Sequence, residues 1–212
     1  MKTDDLITML ACGEDATDPN VLARSYALAL GWGILGATLL MIFTLGVRPD
    51  LADALRLPMF WVKFVFVATI AAAGLMVATR VSRPGVPLGL SPLVLAAPVI
   101  VIWGLAIGTL TGPTADPAGE IFGEAWYLCP LFIVALAVPV FVAVLWAMKG
   151  LAPTNLRLAG AAAGVLAAGV SATIYSFHCT EMAASFLGVW YVLGISIPAA
   201  LGAAIGPSVL KW

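Results

Sequence analysis

Apolar residues recur in six long runs, at 25–47, 59–79, 91–111, 127–148, 158–177 and 186–205. Each is close to the roughly 20 residues that a hydrocarbon core about 30 Å thick requires of a helix. The runs are apolar on all sides, whereas a membrane-spanning strand would alternate apolar and polar positions. The connectors are short and hold the breakers that turns need: Arg48-Pro49-Asp50, Arg83-Pro84-Gly85, Gly112-Pro113 and Ala152-Pro153-Thr154-Asn155. The pattern predicts an all-α polytopic membrane protein: a six-helix sensor domain over 25–212, preceded by a short tail over 1–24.

The tail has its own weaker pattern. Leu6, Met9 and Leu10 share a helical face with Ile7 beside them, Asp4 and Asp5 would occupy the first turn, and Gly13 offers a stop. A helix this short is marginal alone in water, so it is expected to order when a partner covers that face. A disordered or lipid-surface tail is the plainer reading, although its acidic residues would be repelled by anionic headgroups. Asp18 and Pro19 read as the N-cap and first position of the first spanning helix.

Composition agrees with the pattern. Hydrophobic residues make up 62% of the chain and charged residues 10%, with a mean hydropathy of +1.08. No single water-soluble core could absorb that much apolar surface. The net charge of -1 gives no reason to expect nucleic-acid binding. The polar, acidic start does not resemble a cleaved signal peptide, so the first span is expected to be an uncleaved anchor. If the N-terminus is cytoplasmic, Lys2, Arg24, Arg80, Arg83, Lys149, Arg157 and Lys211 lie inside, and only Arg48, Arg56 and a snorkelling Lys63 lie outside. Both termini are then cytoplasmic. Glu181 and the acidic loop holding Asp116, Glu120 and Glu124 lie outside.

Small residues set how such helices meet. Gly104 with Gly108, Gly160 with Gly164, and Gly202 with Gly206 each form a small-xxx-small face, so close backbone contact is expected at all of them and a homodimer is compatible with them. Pro98, Pro139 and Pro198 should kink their spans locally. Apart from Lys63, the runs hold no Asp, Glu, Arg, Lys or His, which argues against ion-coupled transport. No phosphate-binding glycine loop, hydrolytic carboxylate pair or HExxH motif is present, and an enzyme is not expected.

The remaining chemistry lies in Tyr175 to Glu181, YSFHCTE, where the chain's one histidine, His178, adjoins Cys179. Cys129 opens the fourth run on the same predicted face, while Cys12 falls in the tail. Cys129 and Cys179 could form a disulfide on an oxidising face. They could instead bind a soft or borderline metal ion with His178, with Glu181 or Met182 as a further ligand. Equally, the cysteines could be small apolar fillers and His178 an interfacial residue satisfied by water or a carbonyl. Trp126, Tyr127, Trp190 and Tyr191 read as interfacial anchors or packing around this mouth.

The opening MKTDDLI, the run YSFHCTE, Phe186, Trp190-Tyr191, Gly194, Gly202, Gly206-Pro207 and the closing Leu210-Lys211-Trp212 together resemble the NrsF family, negative regulators of sigma factor F. The family pattern has proline after HC, where this chain has Thr180, and arginine before the last tryptophan, where this chain has Lys211. The resemblance implies an inner-membrane anti-sigma factor that holds an extracytoplasmic-function sigma factor inactive until an envelope stress is sensed. It also implies that Cys129 and Cys179 are the sensing thiols, with His178 and Glu181 beside them. The sigma-binding residues would then be Asp4, Asp5, Leu6, Ile7, Met9 and Leu10. No cofactor is expected beyond a transient soft or borderline metal ion as signal. A small permease or metal exporter is the alternative, and a quinone-linked thiol oxidoreductase is disfavoured because only one outer cysteine pair exists.

Overall fold

The computed structural model describes residue 3 and residues 20–112, 116–124, 126–151 and 153–211. In chain order the helices are α1 (Val21–Thr44), α2 (Leu51–Ala54), α3 (Pro58–Val81), α4 (Ser91–Leu110), α5 (Pro117–Phe122), α6 (Leu128–Lys149), α7 (Leu156–Tyr175) and α8 (Ala184–Val209). All but α2 and α5 are long and apolar enough to cross a membrane. No strand occurs among the described residues, so the chain is all-α. The short connector helices α2 and α5 were not legible in the apolar pattern. Asp18, Pro19, Cys12 and the tail positions Asp4, Asp5, Leu6, Ile7, Met9 and Leu10 lie outside the described residues.

Local chemistry fixes the helix ends. Proline stands in the first turn of α3, α4 and α5, where its missing N–H costs nothing. Asn155 caps α7 by accepting from the Leu158 amide at 3.1 Å. After α1, Gly46 takes a positive φ of 74°, which turns the chain and frees its carbonyl.

α7 is the central helix, packing against α8, α3 and α6. Its Gly and Ala face lets neighbouring backbones come into direct contact. A Cβ on Gly160 would run into the Gly202 carbonyl, and one on Gly164 into the Pro198 carbonyl. On α3, Gly74 meets the backbone of Leu166, and Gly169 of α7 meets that of Ala71. The third glycine pair behaves differently. A Cβ on Gly104 or Gly108 would meet nothing within 4 Å, so that face of α4 is uncovered. The sequence motif marks a face on which close approach is allowed, and on α4 no described helix takes it up.

α8 contains a π-helical turn over Leu187–Tyr191. There the Gly188 carbonyl accepts from Trp103 Nε1 of α4 at 2.9 Å, and the absent Gly188 side chain leaves room for the indole. α4 is otherwise attached along α3 and to the first turn of α8. Trp103→Phe removes that donor and is expected to cost about 1 kcal/mol, read as a lower melting temperature of the purified protein.

Candidate functional site

The two sulfurs meet where three elements end. Cys129 lies in the first turn of α6, and Cys179 follows the last turn of α7 in the connector to α8. The Cys179 amide still bonds back to the Tyr175 carbonyl at 3.0 Å, so the thiol is held against the end of α7. Both residues are buried, with their sulfurs 3.7 Å apart. The Tyr175 hydroxyl is 3.2 Å from the Cys129 sulfur. The π turn of α8 brings in Tyr191, which is fully buried and whose hydroxyl lacks a hydrogen bond within ordinary distance. Tyr191 is thus part of the site's wall and not an interfacial anchor.

Lys63 is the main correction to the sequence reading. A lysine near a span end was expected to snorkel outward, yet Lys63 is 0% exposed. Its Nζ donates to the carbonyls of Cys179 at 2.8 Å and Glu181 at 2.9 Å, and lies 5.3 Å from the Tyr191 ring centroid. Buried cations persist where carbonyls and aromatic faces replace water, which is the case here. Arg48 reaches the same Cys179 carbonyl at 3.3 Å while pairing with Asp50 through two bonds of 2.7 Å. The Arg48 amide also donates to the Phe177 carbonyl at 3.1 Å. The thiol-bearing connector is therefore tied to α3 and to the α1–α2 turn.

Two shifts outside the spanning helices follow from this geometry. The hydrogen bond with Cys129 pushes the Cys179 thiol pKa down, as does the Lys63 charge, while burial opposes them. Removing that donor by Cys129→Ala is expected to slow alkylation of Cys179 at neutral pH, about tenfold for each unit by which its pKa comes to exceed the pH. Mass mapping of the alkylated full chain reads this out. The Arg48 guanidinium holds the Asp50 carboxyl below its usual value of 3.8. A lowered folded-state pKa stabilises the protein above the unfolded value and is lost as pH falls through the folded one. Melting temperature should therefore owe nothing to this pair's titration between about pH 5 and 8 and drop below about pH 4, a drop that Asp50→Asn should reduce.

His178 and Glu181 point to other partners. The His178 Nδ1 lies 2.9 Å from the Gly46 carbonyl; since a carbonyl only accepts, Nδ1 carries the hydrogen and Nε2 the lone pair when the ring is neutral. The Glu181 carboxylate accepts from the Glu124 amide at 2.9 Å and fills the space above Gly123, whose φ is +52°. Among the described residues no three His, Cys, Asp or Glu side chains converge to hold a metal ion. The Trp126 and Trp190 rings meet at a tilt of 42° with centroids 4.8 Å apart, and Trp190 Nε1 donates to the Ile121 carbonyl at 2.7 Å. Sequence reasoning missed Arg48, Lys63 and Tyr175 as parts of the site. The one available signal was Lys63 itself, the only charge within an apolar run.

The described fold and this mouth can be set beside known proteins. The family described as "Negative regulator of sigma F" matches residues 10–212. The chain belongs to the NrsF family. Along the full length of both chains it is 52% identical to "Probable anti-sigma-F factor NrsF" of Azospira oryzae and 36% identical to "Anti-sigma-F factor NrsF" of Caulobacter vibrioides. No solved structure matches. For this NrsF-family chain, the geometry thus supplies a buried thiol pair at one end of a helical bundle whose relatives carry the name of a transcription regulator.

Proposed function

We propose that this protein is a non-enzymatic anti-sigma factor of the inner membrane, which holds a sigma factor of the extracytoplasmic-function type at its cytoplasmic N-terminal tail. Release follows when Cys129 and Cys179 are oxidised or bridged by a soft metal ion. The observation that carries the reading is the buried sulfur pair, 3.7 Å apart, in a chain of the NrsF family. Oxidation removes two electrons and two protons from the thiols, which pass to the oxidant, and forms one S–S bond of about 2.05 Å. The sulfurs must therefore close, pulling the connector that Lys63 and Arg48 hold. Two sulfur donors also suit a soft ion; His178 would have to turn its Nε2 toward them to act as a third ligand. A shift in the balance of two bundle packings then weakens the tail's hold on its partner.

Orientation is supported by charge placement. Arg80, Arg83, Arg157 and Lys211 lie at the end of the bundle opposite the thiols, and at the thiol end both Arg48 and Lys63 are buried. With those two occupied, Arg56 is the exposed basic residue at the thiol end, which strengthens the positive-inside bias.

The test uses the full chain in lipid nanodiscs with the sigma factor captured on it. Oxidant or a soft metal ion should release the sigma factor from the native chain and leave it bound to the Cys129→Ser/Cys179→Ser variant. Equal release from both would remove the thiols from the mechanism. Failure of the native chain to capture any sigma factor would overturn the anti-sigma reading.

A further inference from the structure

At the end of the bundle opposite the thiols, a groove of about 560 Å³ opens between the start of α1 and the end of α6. Its polar rim holds Arg24, Ser25 and Lys149, and its wall holds Leu28 and Trp146, both strongly exposed apolar surfaces. Among the described residues neither Arg24 nor Lys149 has a carboxylate partner, whereas Arg48 and Arg56 are paired with Asp50 and Asp53.

Helix electrostatics sharpens the contrast. Lys149 stands at the C-terminus of α6, where a cation complements the helix dipole. Arg24 stands at the N-terminus of α1, where a cation is unfavourable, and that first turn carries no acidic residue. An anion seated between them offsets the Arg24 charge, meets the positive end of α1 and pairs with Lys149. The apolar wall below continues along two helices long enough to span a bilayer. A ligand that fits both halves has an anionic head and a long apolar tail.

We propose that this groove binds an anionic phospholipid, its phosphate held between Arg24, Ser25 and Lys149 and an acyl chain lying against Leu28 and Trp146. The site is distinct from the thiol mouth. The inference rests on the chain lying in a membrane, but not on what its tail binds. A lipid there fixes the entry point of α1, the helix that follows the tail directly.

Native mass spectrometry of the full chain, released from nanodiscs of phosphatidylcholine with graded phosphatidylglycerol, counts retained lipids. The native chain should retain one phosphatidylglycerol in preference to phosphatidylcholine. Arg24→Gln/Lys149→Gln should weaken that retention about thirtyfold, the factor expected of two charges at a membrane surface. Arg24→Lys/Lys149→Arg should restore it, which separates lost charge from lost folding. Soluble glycerol phosphate should not compete, since it lacks the chain that the apolar wall holds. Equal retention of the two lipids, or retention that the Gln variant leaves unchanged, would overturn the proposal. A Gln variant that loses sigma-factor capture while keeping its phosphatidylglycerol would likewise overturn it, assigning the groove to the protein partner.

Discussion

Gly164→Leu is expected to abolish the folded bundle. At this position a Cβ already collides with the backbone of Pro198 and Ala199, so α7 and α8 must separate before any larger side chain can be seated. Flexible side chains can absorb overpacking at a cost of about 1–3 kcal/mol. Two helix backbones cannot do so without giving up the contacts along their length. The cost is then comparable to the whole stability of a typical domain, about 5–15 kcal/mol. Size-exclusion of detergent-solubilised protein, before and after heating, measures it: the variant should be aggregated or absent where the native chain gives one symmetric peak. Gly104→Leu is the internal control. It sits in the same motif but faces open space, and should be recovered at native levels. Equal recovery of the two variants would refute the packing assignment.

Lys63→Ala should have the second largest effect. It removes the side-chain donor to the part-buried Glu181 carbonyl, leaves the Cys179 carbonyl with its longer bond from Arg48 alone, and opens a cavity beside Tyr191. Each unsatisfied buried group costs about 1–3 kcal/mol, and truncating a long buried side chain adds about 2–5 kcal/mol. Lys63→Met keeps most of the volume and should recover the second contribution but not the first. The variants divide the lysine's work into filling and fastening. With the connector unfastened, the Met variant should still form the Cys129–Cys179 bond under oxidant, read by loss of free thiols. It should transmit the event less well, read as sigma factor retained after oxidation. A Met variant that melts like the native chain would show that the carbonyls find other donors.

The legibility of this fold in its sequence divides along a physical line. The six spans were readable because length and hydropathy decide them, and the observed helices differ from the apolar runs mainly at their ends. α1 begins at Val21, ahead of the run, and α8 continues to Val209, beyond it. Which face of each span points inward was much less readable, because a helix that is apolar all round offers no amphipathic contrast. Gly160 and Gly202 meet while Gly104 meets nothing, yet the three motifs look alike in sequence. Lys63 was placed by a rule for cations at span ends, and two main-chain carbonyls with an aromatic ring overruled it. Those partners come from a connector and a helix more than a hundred positions later, and local pattern cannot carry that information. Cys129 and Cys179 were placed on one predicted face by topology alone. Their distance of 3.7 Å also depends on the last turn of α7, which holds the Cys179 amide.

The π turn in α8 carries a consequence for length variation. Below it, Gly202 and Gly206 are locked against α7; above it, the connector is held by Lys63, Arg48 and the end of α7. The wide turn lies between these two fixed registers and takes up the angular difference that a uniform α-helix would impose. Inserting a further residue within 187–191 therefore acts as a phase error, swinging Tyr191 away from the sulfurs while every side chain keeps its identity, whereas deleting one closes the wide turn to a plain α-turn. In an exposed connector the same insertion would be absorbed locally, so tolerance to a single-residue insertion should be far lower at this turn than in the connectors.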